Sequence, residues 1–137
     1  MKKSDQNNTI TIGQVSKIKQ ISAYTLRYYD KQGLLPKVIR DKNGTRHFTN
    51  EDLQWLDMIK CLKNTGMNLE EIKVFVDSTY QGATTLVARI DLLKRQQDVI
   101  KETILEQQKY MDQINAKIDV LNKELISVEN GKSETNK

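Results

Sequence analysis

The sequence predicts a mainly α-helical chain: a winged helix-turn-helix domain followed by one long coiled-coil helix. Three features carry that prediction. Two short amphipathic segments near the N-terminus, TIGQVSKIK and SAYTLRYYDKQ, are separated by about three residues, the spacing of a helix-turn-helix. A basic segment containing an Asn-Gly pair, VIRDKNGTRHFT, follows them. The second half of the chain repeats apolar residues in a four-three alternation, the signature of a coiled coil. The expected division is a flexible tail over 1–9, the winged domain over 10–80, the coiled-coil helix over 81–128 and a disordered tail over 129–137.

Composition narrows the class. The 137 residues are one domain's worth, and 29% charged against 6% aromatic suits a modest helical core with much solvated helix surface. A single Cys excludes an intrachain disulfide. The opening MKKSDQNNTI lacks the apolar run of a signal peptide, and no stretch approaches a membrane span, so the expected location is the cytoplasm with no membrane partner. The net charge of +4 is uneven: residues 1–50 carry +7, residues 51–80 carry −3 and residues 81–137 are neutral. A basic module on a neutral scaffold suits a polyanion partner. The same charge could serve solubility alone, so the local pattern has to decide.

Thr11 offers an N-cap oxygen and Gln14 stands three places on, a capping-box spacing for a helix over about 12–18. Ile10, Val15 and Ile18 supply its apolar contacts. Ser22 caps the next helix, with Ile21 and Leu26 placed as a hydrophobic staple. That helix should run from Ala23 to about Gln32 and end at Gly33 in the left-handed conformation, with Pro36 blocking continuation. Leu26 and Tyr29 can face the first helix. Tyr24, Thr25, Arg27, Tyr28 and Lys31 cover the other sides, and these are groups that meet phosphate oxygens and base edges. On this helix alone, an amphipathic core helix with a solvated face is the competing reading.

Residues 37–49 read as two short strands around Asn43-Gly44, a turn in which both residues would take positive φ. Lys37, Arg40, Lys42 and Arg46 make this ribbon basic, a wing able to reach phosphates or the minor groove beside the recognition helix. Thr49 and Asp52 begin a third helix, to about Asn64, with Gly66 as terminator. Trp55, Met58, Ile59 and Leu62 share one face of it, and Leu53 and Leu56 widen that face. Asn68 and Glu71 form another capping box, for a fourth helix to about Asp77 that turns Leu69, Ile72, Phe75 and Val76 inward. The segment STYQGATT is a connector.

Beyond it the heptads begin. Leu86, Leu93, Ile100, Gln107, Ile114, Leu121 and Val128 take the d positions, and Ile90, Gln97, Ile104, Met111, Ile118 and Leu125 the a positions. The seam is about 40 residues long, roughly 60 Å of helix. A lone helix cannot bury such a stripe and the rest of the chain is too small to cover it, so self-association is the economical solution. The seam does not set strand orientation.

The block TIGQVSKIKQISAYTLRYYDKQGLLPKVIRDKNGTRHFTNEDL resembles the N-terminal domain of the MerR family of transcription regulators, most specifically in LRYYDKQGLL and in GTRHF followed by TNEDL. The order of helix-turn-helix, wing, two helices and one long helix matches as well, so the resemblance covers about residues 10–127. It implies a homodimer held by the long helix paired antiparallel, binding a pseudo-palindromic double-stranded promoter operator, bending and untwisting it so that RNA polymerase can engage both promoter elements. By position, Arg27, Tyr28 and Tyr29 match the recognition-helix motif, and Arg46 matches a wing Arg. Thr45 departs from the Tyr often found between the wing Gly and Arg, which weakens one expected contact. The candidate DNA-binding set is Thr11, Tyr24, Thr25, Arg27, Tyr28, Tyr29, Lys31, Arg40, Lys42, Arg46 and His47. The dimerisation set is Leu86, Ile90, Leu93, Ile100, Ile104, Met111, Ile114, Ile118, Leu121 and Leu125.

Family members that sense metals carry Cys at the start of the dimer helix and in a loop after it. Here STYQGATT and ISVENGKSETNK contain neither Cys nor His, so no metal and no cofactor is expected. Multidrug-sensing members carry a sizeable C-terminal effector domain, and this sequence ends soon after the coil. The segment IKCLKNTGMNLEEIK looks like the small members that respond to aldehydes and other electrophiles through one Cys, which makes Cys61 the candidate sensor. A wheel places it beside Gln54 and Asp57, away from the Trp55–Leu62 face. Against this, an unpaired Cys is commonly a small buried hydrophobe, and the helix C-terminus disfavours a thiolate.

No Gly-rich phosphate loop, nucleophile–base pair or close carboxylate pair is present to suggest an enzyme. A coiled-coil adaptor with a basic module, and a constitutive repressor without small-molecule input, are the competing readings. The seam register is directly testable. Replacing Ile104 and Met111 with Glu is expected to yield monomers in sedimentation equilibrium, and a variant that still sediments as a dimer would refute the register.

Overall fold

A computed structural model describes residues 9–135. Apart from Thr9, the expected N-terminal tail lies outside them. The elements are β1 (Ile10–Thr11), α1 (Ile12–Lys19), α2 (Ala23–Lys31), β2 (Ile39–Arg40), β3 (Arg46–Phe48), α3 (Asn50–Asn64), α4 (Leu69–Tyr80), a 3-10 turn (Ala83–Thr85) and α5 (Leu86–Thr135). The chain divides within α5 into one unit up to Gln96 and a second from Gln97 onward.

In the first unit the local signals formed as their chemistry requires. Thr11 and Gln14 close a reciprocal capping box on α1, and Thr49 and Asp52 close one on α3. Ser22 caps α2 by accepting from the Thr25 N–H. Asn68 accepts from the Glu71 N–H, but the return bond that would complete the expected box is absent, so this cap is one-sided. The α2 helix ends in a Schellman arrangement: the Leu34 N–H donates to the Tyr29 carbonyl and the Gly33 N–H to the Asp30 carbonyl. Gly33 has φ +82°, the conformation a side chain would strain. Met67 and Gly66 end α3 the same way, on the carbonyls of Leu62 and Lys63.

The sheet is three-stranded and antiparallel in the order β1-β3-β2. The hairpin was expected, but β1 was not. Its two residues read as the lead-in to α1, and only pairing Ile10 with Phe48 and Thr11 with His47 makes them a strand. The turn also differs from expectation. Gly44 has φ +79°, but Asn43 does not take positive φ. The Gly44 N–H donates to the Asp41 carbonyl and the Asp41 N–H to the Thr45 carbonyl, so a type I turn is followed by a left-handed glycine. Asp41 selects it, because its Oδ1 accepts from both the Asn43 and Thr45 N–H groups.

The core gathers Val15, Leu26, Tyr29, Leu34, Leu35, Phe48, Leu56, Ile59, Leu62, Met67, Ile72, Phe75 and Val76. The inward face of α3 is Asp52, Leu56, Ile59 and Leu62, not the expected Trp55–Met58 side. Trp55 is half-buried, its ring 6.0 Å from Phe75 and 6.1 Å from Tyr80, while Met58 is exposed. The α4 helix runs three residues past Asp77, shortening the connector. The start of α5 belongs to this unit. Leu92 and Leu93 pack on the core, and Gln96, almost buried, donates from Nε2 to both the carbonyl and Oγ1 of Thr65. Leu93, expected only in the dimer seam, thus serves its own domain first.

The second unit is helix alone. Helix α5 spans 50 residues, roughly 75 Å. It continues through Asn130 and Gly131 to Thr135, past the expected exit at Glu129. One glycine costs a helix only about 1 kcal/mol, and no proline stands there to break it. The seam residues Ile104, Met111, Ile114, Ile118, Leu121 and Leu125 are each about half-exposed along this unit.

Asp52 offers a test of the core. Its carboxylate lies 2.8 Å from the Thr49 N–H nitrogen and 3.1 Å from the Thr49 hydroxyl, and is otherwise shut away from water. Burial raises its pKa above 3.8 despite those bonds. The folded state therefore binds this proton more tightly than the unfolded chain. Its stability contribution is greatest below 3.8 and declines as pH rises through the raised value. Urea denaturation across that range should show the wild type losing stability relative to Asp52→Asn. Parallel pH profiles would contradict this.

Candidate nucleic-acid interface

The second helix of the helix-turn-helix is positioned by its two inward residues. Leu26 and Tyr29 are buried, which fixes the rotation of α2 and turns Tyr24, Arg27, Tyr28 and Lys31 outward, all exposed. The turn before it is set by Gln20, in the left-handed conformation at φ 56°, and by Ser22, whose hydroxyl also donates to Thr25 Oγ1 at 2.9 Å. The end of α1 is fastened to α3 by an ion pair from Lys19 to Asp57 at 2.9 Å and by Lys60 Nζ donating to the Lys19 carbonyl.

The wing stands beside α2. Between them lies an open basin of about 500 Å³ lined by Tyr24, Arg27, Tyr28, Lys31, Arg40 and Arg46. Four cations and two phenols converge on one depression, the equipment for binding a phosphate backbone. Two of its arginines share one carboxylate. Asp30 Oδ2 accepts from Arg46 Nε at 2.7 Å and from Arg40 Nη2 at 3.0 Å. Arg40 and Arg46 are direct partners across the β2–β3 ladder, so this single oxygen ties both strands of the wing to α2.

Three of the expected contact residues have other duties. Tyr29 is a core residue, 4% exposed, with its hydroxyl accepting from Lys63 Nζ at 3.3 Å and that ammonium 5.6 Å from the ring centroid. Its spacing of three from Leu26 makes both point inward. Thr11 is exposed, and its hydroxyl is engaged with Gln14 in the helix cap. His47 faces into the hairpin, Nε2 being 3.0 Å from Asp41 Oδ2 and Nδ1 3.5 Å from Thr9 Oγ1. The hydrogen bond with His47, and then the Thr45 N–H, hold the Asp41 carboxyl below its ordinary pKa. Lys42 is exposed beside this arrangement on the turn, and Thr25 is half-buried at the start of α2.

Asp30 and Asp41 were not singled out from the sequence. A signal was present: the first fifty residues hold three acidic side chains against ten basic ones, and these two acids hold the wing.

Cys61 is exposed on α3, away from the core face. The buried-hydrophobe reading does not describe it in this chain. Its carbonyl accepts from the Thr65 N–H at 3.1 Å, and Thr65 in turn accepts from Gln96. Among the described residues no group of three or more His, Cys, Asp or Glu side chains converges as a metal site, and no helix is long and apolar enough to cross a membrane.

Family models match this arrangement over most of its length. The MerR HTH family regulatory protein model matches residues 10–79, and a MerR DNA-binding model matches residues 53–117. The chain belongs to the MerR family. Among its relatives, an HTH-type transcriptional regulator of Haemophilus influenzae is 46% identical over 110 residues, 80% of this chain and 82% of that protein. The Bacillus subtilis HTH-type transcriptional regulator AdhR is 37% identical over 61% of this chain and 60% of its own length. The crystal structure of HiNmlR, a MerR family regulator lacking the sensor domain, bound to promoter DNA, superposes with a TM-score of 0.78 at 45% identity, covering 84% of this chain and 91% of that one. These relatives are regulators. In this MerR-family chain the basin lies between the helix-turn-helix and the wing.

Arg27 is the exposed cation of α2 whose truncation removes no core volume. Arg27→Ala is expected to weaken DNA binding by about 1–3 kcal/mol, roughly 5- to 150-fold in Kd, with the melting temperature unchanged. Unaltered affinity at matched salt would remove Arg27 from the interface.

Proposed function

We propose that this chain is a homodimeric, sequence-specific regulator of transcription that binds double-stranded promoter DNA through the basin between α2 and the wing. The basin is the observation that carries the reading. It places Arg27, Lys31, Arg40 and Arg46 with the Tyr24 and Tyr28 hydroxyls on one face, as phosphate and base-edge recognition requires. The relative HiNmlR, captured on promoter DNA, supports it. The DNA-binding set is then Tyr24, Thr25, Arg27, Tyr28, Lys31, Arg40, Lys42 and Arg46, with Thr11, Tyr29 and His47 supporting from behind.

The dimer is the second part of the proposal. Helix α5 carries half-exposed Ile104, Met111, Ile114, Ile118, Leu121 and Leu125 on a heptad seam. Burying that stripe against a second copy, antiparallel, gives two basins for a two-fold operator. Bending and untwisting the duplex lets phosphate contacts at both ends offset the deformation, and RNA polymerase is the partner that would use the altered promoter. The cytoplasm is the setting this requires.

Input through Cys61 is the third part. The thiol is open to reagents and sits on the last turns of α3. The hydrogen bonds from the Thr65 N–H to the Cys61 carbonyl and from Gln96 Nε2 to Thr65 connect that turn to the first residues of α5. Alkylation or oxidation at Cys61 would disturb the turn and, through Gln96, the seating of the long helix.

In vitro transcription from a promoter bearing the bound sequence, with and without an aldehyde or a quinone, tests this input. Stimulation of the wild type and loss of the response in Cys61→Ser is the expected result. An equal response in both proteins would move the sensor elsewhere, and no response in either would leave a regulator without electrophile input.

A further inference from the structure

Asp30 is an anion placed where an anion opposes binding. It is bonded to two of the four cations that line the basin, so it subtracts from the attraction of the site for any phosphate. Solubility does not account for it, because its side chain is only 14% exposed. Helix capping does not either: Ser22 caps the start of α2, and Asp30 sits in its last turn, where the helix dipole disfavours a carboxylate.

What Asp30 does is geometric. Its Oδ2 holds Arg46 through Nε at 2.7 Å and Arg40 through Nη2 at 3.0 Å. The two guanidiniums belong to directly opposed residues on the two wing strands. Pinning both fixes the wing against the recognition helix at its base, while Asp41 and His47 fix the turn at the other end. Each arginine spends one N–H donor on Asp30 and keeps others for a ligand. Long, unpinned arginines adapt to any phosphate array. Arginines held in one position favour the duplex whose phosphates lie at the matching places.

We propose that Asp30 is a specificity-determining positioning residue: it lowers general affinity for DNA and raises discrimination by locking Arg40 and Arg46 in the register of the recognition helix. This rests on the DNA-binding reading above. The two partners are not equivalent. Arg46 is 18% exposed and acts as the strut, while Arg40 is 54% exposed and acts as the arm that reaches phosphate.

The experiment uses the full-length protein and two probes: a duplex enriched by the wild type from a randomised library, and a scrambled duplex of the same composition. In Asp30→Asn, affinity for the scrambled duplex should rise severalfold and the salt dependence of that binding should steepen by about one unit of slope. The ratio of enriched to scrambled affinity should fall about tenfold, toward non-specific binding. Asp30→Glu, which keeps the carboxylate, should recover much of the ratio. Arg46→Lys keeps the charge but loses the Nε contact. It should lower the ratio by weakening enriched binding more than scrambled binding, which keeps the test decisive if Asp30→Asn folds poorly. An unchanged ratio in either Asp30→Asn or Arg46→Lys overturns the inference. So does a parallel loss of both affinities, which is the mark of a merely structural residue. Failure of the wild type to enrich any duplex would overturn the DNA-binding reading and this inference with it.

Discussion

The burial of Leu26 and Tyr29 against the core around α3 is the constraint from which the rest of the domain follows. Both side chains lie on one edge of a nine-residue helix. Once they are buried, the rotation of α2 is set and its other edges must carry Tyr24, Arg27, Tyr28 and Lys31. Burying a Leu or a Tyr ring stabilises by about 1.5–3 kcal/mol, far more than any exposed contact of those polar residues. The presentation of the basic face is therefore a consequence of core packing. The polar residues need not arrange themselves.

The same core supports the wing from beneath. Phe48 ends β3 fully buried, which anchors the hairpin, and β1 adds a third strand on its other side. Acidic side chains then set the fine position. Asp41 shapes the turn and Asp30 ties the strands to α2, so a domain with few buried residues obtains a rigid two-part surface. At the end of the same α3 helix, Gln96 bonds to Thr65 and joins the core to the first turns of α5. Helix α3 thus packs beneath the helix-turn-helix and wing and is also bonded to the first turns of α5.

Much of this was legible in the sequence, and the pattern of what was missed is physical. The caps at Thr11, Ser22 and Thr49 and the terminators Gly33 and Gly66 were read correctly because each depends on residues within about one turn. The inward face of α3 was misjudged by about one position, because Trp55 and Met58 are more apolar than the Asp52 that the capping box carries inside. Strand β1 escaped notice because two residues have no period. Tyr29 and His47 were assigned to DNA by residue type and by resemblance. Their actual partners, Lys63 and Asp41, were visible only once the chain was folded.

By itself, then, the sequence determined the element order, the helix boundaries at their caps, the basic character of the N-terminal third and the apolar seam of α5. These are local or periodic properties, written in spacings of three, four and seven. Only the tertiary structure decided which cations share a basin, which acids restrain them, and that Gln96 reaches Thr65. Arg40 and Arg46 stand 10 and 16 residues from Asp30, and Gln96 stands 31 from Thr65. Side chains so far apart along the chain meet only because hydrophobic burial brings their backbones together, and no local pattern encodes the meeting.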